Sequence, residues 1–335
     1  MDRLIYPDGY ESKLSLKETQ RAIKTTKDLF QSNLSKALNL DRVTAPVIVT
    51  SGSGINDDLN GVERKVSFDM KKVGGEAEVV QSLAKWKRMA LKRYGYLPGE
   101  GIYTDMSAIR RDDDCDSLHS IYVDQWDWER VINHSNRTED FLKGIVRLII
   151  KALADTKDAI NFAYPQLEHK MEREVFFITS EELLRLYPDL SPKERENKIV
   201  KEKKTVFLMK IGDKLSNGEK HDGRAPDYDD WELNGDILVW NEITECAFEL
   251  SSMGIRVDKT SLMEQLKKCD AEDRLKYPYH QGIINGTLPL TVGGGIGQSR
   301  ICMYMLEKAH IGEVQVSIWP DKMVDECKAH GIILL

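Results

Sequence analysis

Four glycines in five positions, Gly293, Gly294, Gly295 and Gly297, stand directly before Gln298, Ser299 and Arg300. A backbone without Cβ atoms lets a flat ligand come close, and a guanidinium one turn later can clamp it. That pairing suits a nucleotide lying on a sheet. It matches neither common phosphate loop. No Gly-Lys-Ser/Thr follows, and position 298, where a dinucleotide fingerprint places its third glycine, is Gln298. Taken alone, such a stretch also reads as a plain tight turn.

Three upstream constellations add chemistry. The segment from Ile102 to Asp114 reads as a strand ending in Arg110 and Arg111, then an acidic turn. An arginine there can grip phosphate with two parallel hydrogen bonds, which lysine cannot do. The next strand alternates, putting Asp124, Trp126 and Trp128 on one face and Gln125, Asp127 and Glu129 on the other. Three polar groups on one face are costly in a core but fit a wet substrate pocket. Further on, a turn centred between Glu242 and Ile243 would set Asp236 directly opposite Glu249. Facing carboxylates repel unless a cation joins them, and Mg²⁺ carried by nucleotide phosphates would do so. A slip of one residue would send the two acids to different faces. The loop from His221 to Trp231 mixes Arg224 with Asp222, Asp227, Asp229 and Asp230. A zwitterionic amino acid needs both signs, and so does a plain surface ion-pair network.

The elements that must position these groups follow from periodicity. Residues 13–40, 82–94, 138–162, 192–203, 259–269 and 297–308 read as helices. Strands are expected at 41–50 (interrupted by Pro46), 63–70, 102–110, 118–131, 204–211, 233–240, 246–256 and 313–319. Mid-chain strands follow one another without helices between them. That order predicts an α+β fold with a central antiparallel sheet flanked by helices, in one domain. In helix 82–94, Leu83, Trp86, Ala90, Leu91 and Tyr94 form the apolar stripe, with Lys85, Arg88 and Lys92 opposite on a wet face. Lys87 projects into the stripe, either snorkelling to solvent or aimed at a carboxylate in a pocket. The charged run from Ser191 to Lys204 reads as a solvated helix face.

The chain has 335 residues and a formal net charge of −7, a poor basis for broad binding of nucleic acid. Five scattered cysteines without Cys-x-x-Cys predict neither a zinc site nor disulfides. No signal-like or membrane-length apolar stretch occurs, so a cytoplasmic protein without a membrane partner is expected.

Taken together, the long helix with Pro46, the Arg110 strand–turn–strand and the Gly293–Arg300 tract resemble, in order, the catalytic domain of class II aminoacyl-tRNA synthetases. More closely, the chain is similar to the ammonia-dependent asparagine synthetase (aspartate–ammonia ligase) family. The similarity is carried by Ser82 to Arg88, Val123 to Arg130, Arg224 to Trp231, Phe248 to Arg256 and Gly293 to Arg300. It implies that aspartate and ATP form β-aspartyl-adenylate and pyrophosphate, and that ammonia then displaces AMP to give L-asparagine. By that resemblance Arg110 holds the α-phosphate and Arg300 clamps the nucleotide over Gly294 and Gly295. Asp236 and Glu249 hold Mg²⁺, Asp113 serves the adenine end and Gln125 the adenylate. Lys87, Arg224 and Arg256 are the expected partners of aspartate's carboxylates. Asp57, Asp127 and Asp229 are the expected amine or ammonia partners, with Ser82 and Ser252 as adjuncts. A homodimer through the N-terminal helix and the Pro46 segment is implied as well.

Two positions depart from the class II pattern: Asp112 stands where a glutamate is usual, and Ser299 where an acid precedes the last arginine. The connection from Trp231 to Asn234 is also shorter than the resemblance leads one to expect. The alternative is an aspartyl- or asparaginyl-tRNA synthetase-like protein without an anticodon-binding domain. A glutamine-dependent synthetase, whose nucleophilic cysteine often stands freed at the N-terminus, fits less well, since residue 2 is Asp2. A non-catalytic relative would be expected to lack one clamp arginine or metal acid, and none is missing.

Overall fold

A computed structural model describes residues 4–57, 59 and 63–335. Its centre is an eight-stranded sheet. From edge to edge it runs β1 (Leu40–Arg42), β5 (Gly101–Ile109), β6 (Tyr122–Val131), β11 (Thr291–Gly297), β10 (Cys246–Arg256), β9 (Asp229–Asn241), β8 (Thr205–Met209) and β7 (Phe176–Thr179). Neighbours are antiparallel except at the two edges, where β1 lies parallel to β5 and β7 to β8. A second sheet has β4 (Glu76–Val79) between β2 (Ile48–Thr50) and β3 (Ser67–Asp69). The expected α+β architecture is present.

Several boundaries differ. Residues 41–50 split between the two sheets, with Pro46 in the connection, where its missing N–H breaks no ladder. The segment 313–319 is no strand; a short 3₁₀ turn, Ile311–Glu313, begins it. β9 starts at Asp229, so the Trp231–Asn234 stretch is continuous strand and not a shortened loop. The strands β4 and β7 and the helices α4 (Ser180–Leu186), α7 (Pro278–Ile284) and α9 (Asp321–Ala329) match no expected element.

One face of the sheet carries the main core. α1 (Leu16–Leu38) starts in a capping box between Ser15 and Glu18, and Asn39 at φ 56° ends it. α3 (Glu139–Ala163) is capped by Thr138. Phe30 and Leu34 of α1, with Ile145 and Ile149 of α3, pack on Trp126, Trp128, Met253 and Ile296. The Phe30 and Trp126 rings meet edge-on at 4.8 Å. Each such side chain, fully buried, contributes about 1.5–3 kcal/mol. The alternation expected in β6 holds, with both tryptophans in this core.

α2 (Ala84–Tyr94) lies on the opposite side of the sheet, and there one expectation fails. Lys85 and Arg88 do not face water; they are 3% and 1% exposed. A second layer, α6 (Lys259–Lys268) with α7, covers the side that amphipathicity marked as wet, and Met89 packs against Leu262, Leu266 and Tyr279. Arg88 is satisfied by the carbonyls of Pro289 and Val257, each at 2.8 Å. α5 (Pro192–Lys203) is likewise only partly solvated: Arg195 and Glu196 are buried, and Glu196 meets His221 at 2.9 Å. The remaining helix, α8 (Gln298–Met305), follows the glycine tract. Among the described residues no helix is long and apolar enough to cross a membrane.

His310, which opens the Ile311–Glu313 turn, has a measurable consequence. Burial pushes its pKa down from 6.5 to about 4, and its Nδ1 accepts from the Gly312 N–H at 3.0 Å. Between those values the unfolded chain holds a proton that the folded chain refuses. The group's contribution is therefore complete above pH 6.5 and is lost as the pH falls toward 4. That shift corresponds to roughly 3 kcal/mol. His310→Asn keeps a capping acceptor without titrating, so denaturant midpoints should fall less between pH 7 and pH 4.5 in the variant than in the parent.

Candidate active site

On the α2 side of the sheet, Gln125, Asp127 and Glu129 of β6 stand against Gly297, Gly295 and Gly293 of β11. The glycines are explained by what lies over them. A Cβ at Gly293 would overlap the Glu129 carboxylate, and one at Gly295 the Gln125 amide. Gly294 faces the other way, toward Met253 and the core, so its side of the chain is no part of the expected nucleotide floor. Gly295→Ala should displace only the flexible Gln125 side chain, sparing stability and lowering nucleotide affinity. Gly293→Ala has no such outlet, because Glu129 is held by ion pairs and the Trp128 carbonyl is also close. We expect it to cost about 1–3 kcal/mol in a denaturant melt.

A cavity of about 560 Å³ opens above Gly295 and Gly297. One wall comes from the turn after β5. The Arg110 N–H bonds the Ile121 carbonyl at 2.8 Å and the Asp113 N–H bonds the Arg110 carbonyl at 3.2 Å, which closes the turn and aims both side chains inward. The Arg110 guanidinium is 3.9 Å from Asp113, and its buried Nε has no hydrogen-bond partner among the described residues. Burial raises the Asp113 carboxyl against the pull of Arg110. The facing wall is Arg300, in the first turn of α8. It donates to the Glu249 carbonyl at 2.9 Å and lies 5.7 Å from the Phe248 ring centre. Gln125, Arg224, Glu249 and Ser252 line the floor and rim.

The pairing expected of Asp236 and Glu249 is corrected. The connection between β9 and β10 is longer, with Asn241 opposite Cys246, and a bulge follows Glu249. Glu249 therefore pairs with Leu238, and Asp236 with Ser252. Leu238 and Asp236 are two residues apart, so both acids still share the cavity's face, and the bulge turns Ser252 onto it as well. Asp236 is pushed up to about 7, first by burial and further by the charge of Glu249, while Arg224, which grips both of its oxygens, pulls the other way. Burial also acts on Glu249, but Arg300, Arg224 and Lys193 outweigh it and hold that carboxyl low. Among the described residues no group of three or more His, Cys, Asp or Glu side chains could hold a metal by itself. Two carboxylates on one face supply oxygen donors that fit an ion taking its remaining ligands from phosphate and water, as Mg²⁺ does.

Behind this floor lies a dry ionic layer. Arg256 donates from Nη2 to Glu129 at 2.8 Å and from Nη1 to Asp229, and its guanidinium lies 5.7 Å from the Tyr228 ring. Thr291 donates to the second Glu129 oxygen at 2.6 Å. Lys87 bonds Asp127, the Trp128 carbonyl at 3.0 Å and the Gly294 carbonyl at 3.2 Å. Its ammonium meets carboxylates and does not snorkel. Lys87, Asp127, Asp229 and Arg256 are all below 4% exposed and do not line the cavity. Burial lowers the Lys87 pKa and raises that of Asp229, each opposed by its ion-pair partner. A zwitterion entering here would exchange internal ion pairs for its own.

Ser82 accepts from the Ala84 N–H at 3.1 Å at the start of α2 and is not part of the cavity wall. Asp57 is buried, and its charge raises the pKa values of Lys85 and Tyr228. His119, Ser120 and Ser299 also face the cavity and were not foreseen. The acidic turn hid the first two, and Ser299 stood out only as a departure from the class II pattern.

The family model for aspartate–ammonia ligase matches residues 17–331. An aspartate–ammonia ligase of Ruminiclostridium cellulolyticum is 58% identical over 336 residues, covering all of both chains. One from Levilactobacillus brevis is 54% identical over 99% of each. Among solved structures, asparaginyl-tRNA synthetase of Pyrococcus horikoshii with asparaginyl-adenylate superposes with a TM-score of 0.64. It matches 90% of this chain and 70% of its own at 14% identity, a likeness of fold alone. On the strength of the full-length matches, the chain belongs to the aspartate–ammonia ligase family.

Proposed function

We propose that this protein makes L-asparagine from L-aspartate and ammonia, with ATP cleaved to AMP and pyrophosphate through a β-aspartyl-adenylate. Family membership over nearly the whole chain supports the reaction class. The observation that carries the chemistry is the convergence of Arg110, Arg224, Arg300 and Glu249 on one cavity over Gly295, with Asp236 held by Arg224. The tRNA-synthetase alternative rests only on distant structural likeness.

In the first step an oxygen of the β-carboxylate bonds the α-phosphorus and pyrophosphate leaves with the bonding pair. Such chemistry needs positioning and charge neutralisation more than a covalent protein nucleophile. Arg110, with no strong partner among the described residues, holds the α-phosphate and the attacking carboxylate. Arg300 and the Gly295 floor hold the nucleotide, Asp113 its base end and Gln125 the adenylate. Asp236 and Glu249 would hold Mg²⁺, which supplies positive charge to the phosphates.

Lys87, Arg224 and Arg256 receive aspartate's carboxylates, while Asp127 and Asp229 receive its amine. Ser82 and Ser252 support the ends of that pocket. In the second step nitrogen bonds the acyl carbon and AMP leaves with the oxygen. Ammonium must shed one proton before attack and the adduct another afterwards, and Asp57 accepts one of them.

The test is one assay with ATP, Mg²⁺, L-aspartate and either ammonium or glutamine. Asparagine with AMP and pyrophosphate, from ammonium only, is expected. ADP as product would overturn the adenylate route. A homodimer through α1 and the Pro46 segment is part of the proposal, supported by the half-exposed Val47 and Ile48 (57% and 43%). A stable monomer in sedimentation at micromolar concentration would remove that part.

A further inference from the structure

Gly297, the last residue of β11, is also the N-cap residue of α8. A Cβ there would stand 3.2 Å from the Cβ of Arg300 and 3.4 Å from its Cγ and Cδ, closer than side chains ordinarily pack. Glycine thus leaves room for the Arg300 side chain to lie over the strand end and reach the Glu249 carbonyl at 2.9 Å. That room has a consequence. A Ser, Thr, Asn or Asp at this position would accept a hydrogen bond from the second or third N–H of the helix, and glycine cannot.

Asp124 supplies that bond from β6. Its Oδ1 accepts from the N–H of Ser299, the second residue of α8, at 2.9 Å. Its Oδ2 takes the Lys27 ammonium of α1 at 3.0 Å, which fixes the direction of the carboxylate. A negative group at a helix N-terminus is favoured by the helix dipole as well. Ser299 is held a second time. Its hydroxyl accepts from the Gln315 amide at 2.9 Å, and the Gln315 oxygen accepts from the Ser120 hydroxyl at 2.5 Å. Asp124, Ser299, Gln315 and Ser120 are all buried residues on the wall of the nucleotide cavity.

We propose that Asp124 is a positioning residue for nucleotide binding: it replaces the missing cap of α8 and so fixes the turn that carries Arg300. The inference rests on the proposed role of Arg300 as the nucleotide clamp. Arg300 directly follows the residue whose N–H Asp124 holds, so fraying of this turn displaces its Cα. The expected partners of aspartate belong to the separate ionic layer of Lys87, Asp127, Asp229 and Arg256, and their geometry does not depend on this bond.

Asp124→Ala and Asp124→Asn are each combined with Lys27→Met. Neither then leaves the ammonium unpaired or facing the carboxamide NH₂, and the two proteins differ in the acceptor for Ser299. Affinity for AMP is measured by calorimetric titration, which needs neither Mg²⁺ nor turnover, and KM values are measured for ATP and L-aspartate. The alanine variant should bind AMP about tenfold more weakly and raise the KM for ATP alike, the scale of one lost cap. Its kcat and its KM for aspartate should stay within about threefold of the parent. The asparagine variant should recover most of the affinity. In an Arg300→Ala background the alanine change should cost less than about twofold more, since nothing is left to position.

Full additivity with Arg300→Ala, equal losses in the alanine and asparagine variants, or parent affinity in the alanine variant would overturn the inference. If the alanine pair does not fold, Asp124→Ala with Lys27 kept takes its place against the same outcomes. Arg300→Ala separates the two levels. Parent affinity for AMP in that variant would end the reading of Arg300 as the clamp. A defect there with none in the Asp124 variants would end only the inference.

Discussion

Arg256→Met is expected to cost about 3–5 kcal/mol of folding stability, the range for removing one partner of a buried ion pair. Arg256 is 2% exposed and bonded to two carboxylates, Glu129 and Asp229, which are 0% and 3% exposed. Methionine fills much of the volume, so the cost is electrostatic and not a cavity. Two dry acids are left, with Lys87 3.8 Å from Glu129 and the charge of Arg224 acting on Asp229. The sign of the pH dependence discriminates. In the parent, burial pushes the Glu129 pKa up, but Arg256 and Lys87 outweigh it and hold it below 4.5. Stability from that group is present above pH 4.5 and lost as the pH falls through the lowered value. In the variant burial wins, the folded pKa rises, and stability falls as the pH rises. The difference between the two proteins should therefore be largest at neutral pH and shrink below about pH 5. Urea midpoints at pH 5 and pH 7.5 read this directly. Adding Glu129→Gln to Arg256→Met should recover part of the loss, as expected of residues in one network. A difference below about 1 kcal/mol at pH 7.5 would show that the acids find other partners.

How much of this site the chain announced in advance depends on the kind of signal. Strand alternation in β6 was legible because Trp126 and Trp128 bury on one face, which sends Gln125, Asp127 and Glu129 to the other. The β9–β10 connection was legible in part. Nothing in its composition shows that Glu245 takes a left-handed φ of 49°, or that the Asn241 side chain closes the turn by accepting from the Ile243 N–H. The register was therefore misjudged by two residues, yet an even error preserves the face, and Asp236 and Glu249 remain together. The wet face assigned to α2 failed for another reason. Amphipathicity sees one partner surface, and α2 has two, the sheet and the α6–α7 layer. That error hid Lys85, whose partner Asp227 comes from a distant segment and is itself held by His280. Asp57, Ser82 and Ser252 came from family resemblance, not from spacing. The glycine tract suggested close approach, but only the structure shows that Gly293 and Gly295 make room for Glu129 and Gln125.

Arg110→Ala should lower aspartate-dependent pyrophosphate exchange by about 10³-fold, the scale for removing a charge that stabilises a phosphoryl transition state. The argument begins with what Arg110 does not do. Its side chain is 25% exposed, and among the described residues its one ion-pair contact is Asp113 at 3.9 Å and its buried Nε has no hydrogen-bond partner. The turn is held by backbone bonds to Ile121 and from Asp113, which alanine keeps. Folding stability should therefore change by no more than about 0.5 kcal/mol. This contrasts with Arg256, where charge removal is mainly a structural injury. A guanidinium held at a cavity wall, with no strong partner among the described residues, is available to an incoming anion without an internal ion pair to break. Arg110→Lys keeps the charge but loses the planar fork, so it should recover only a minor part of the rate. Asp113→Asn isolates the turn: if Arg110 worked merely by pairing with Asp113, the two variants would show equal losses. We expect Asp113→Asn to alter the KM for ATP and leave most of the turnover. Exchange by Arg110→Ala within tenfold of the parent would remove Arg110 from the α-phosphate. It would leave Arg300 and the Mg²⁺ carboxylates to supply that charge.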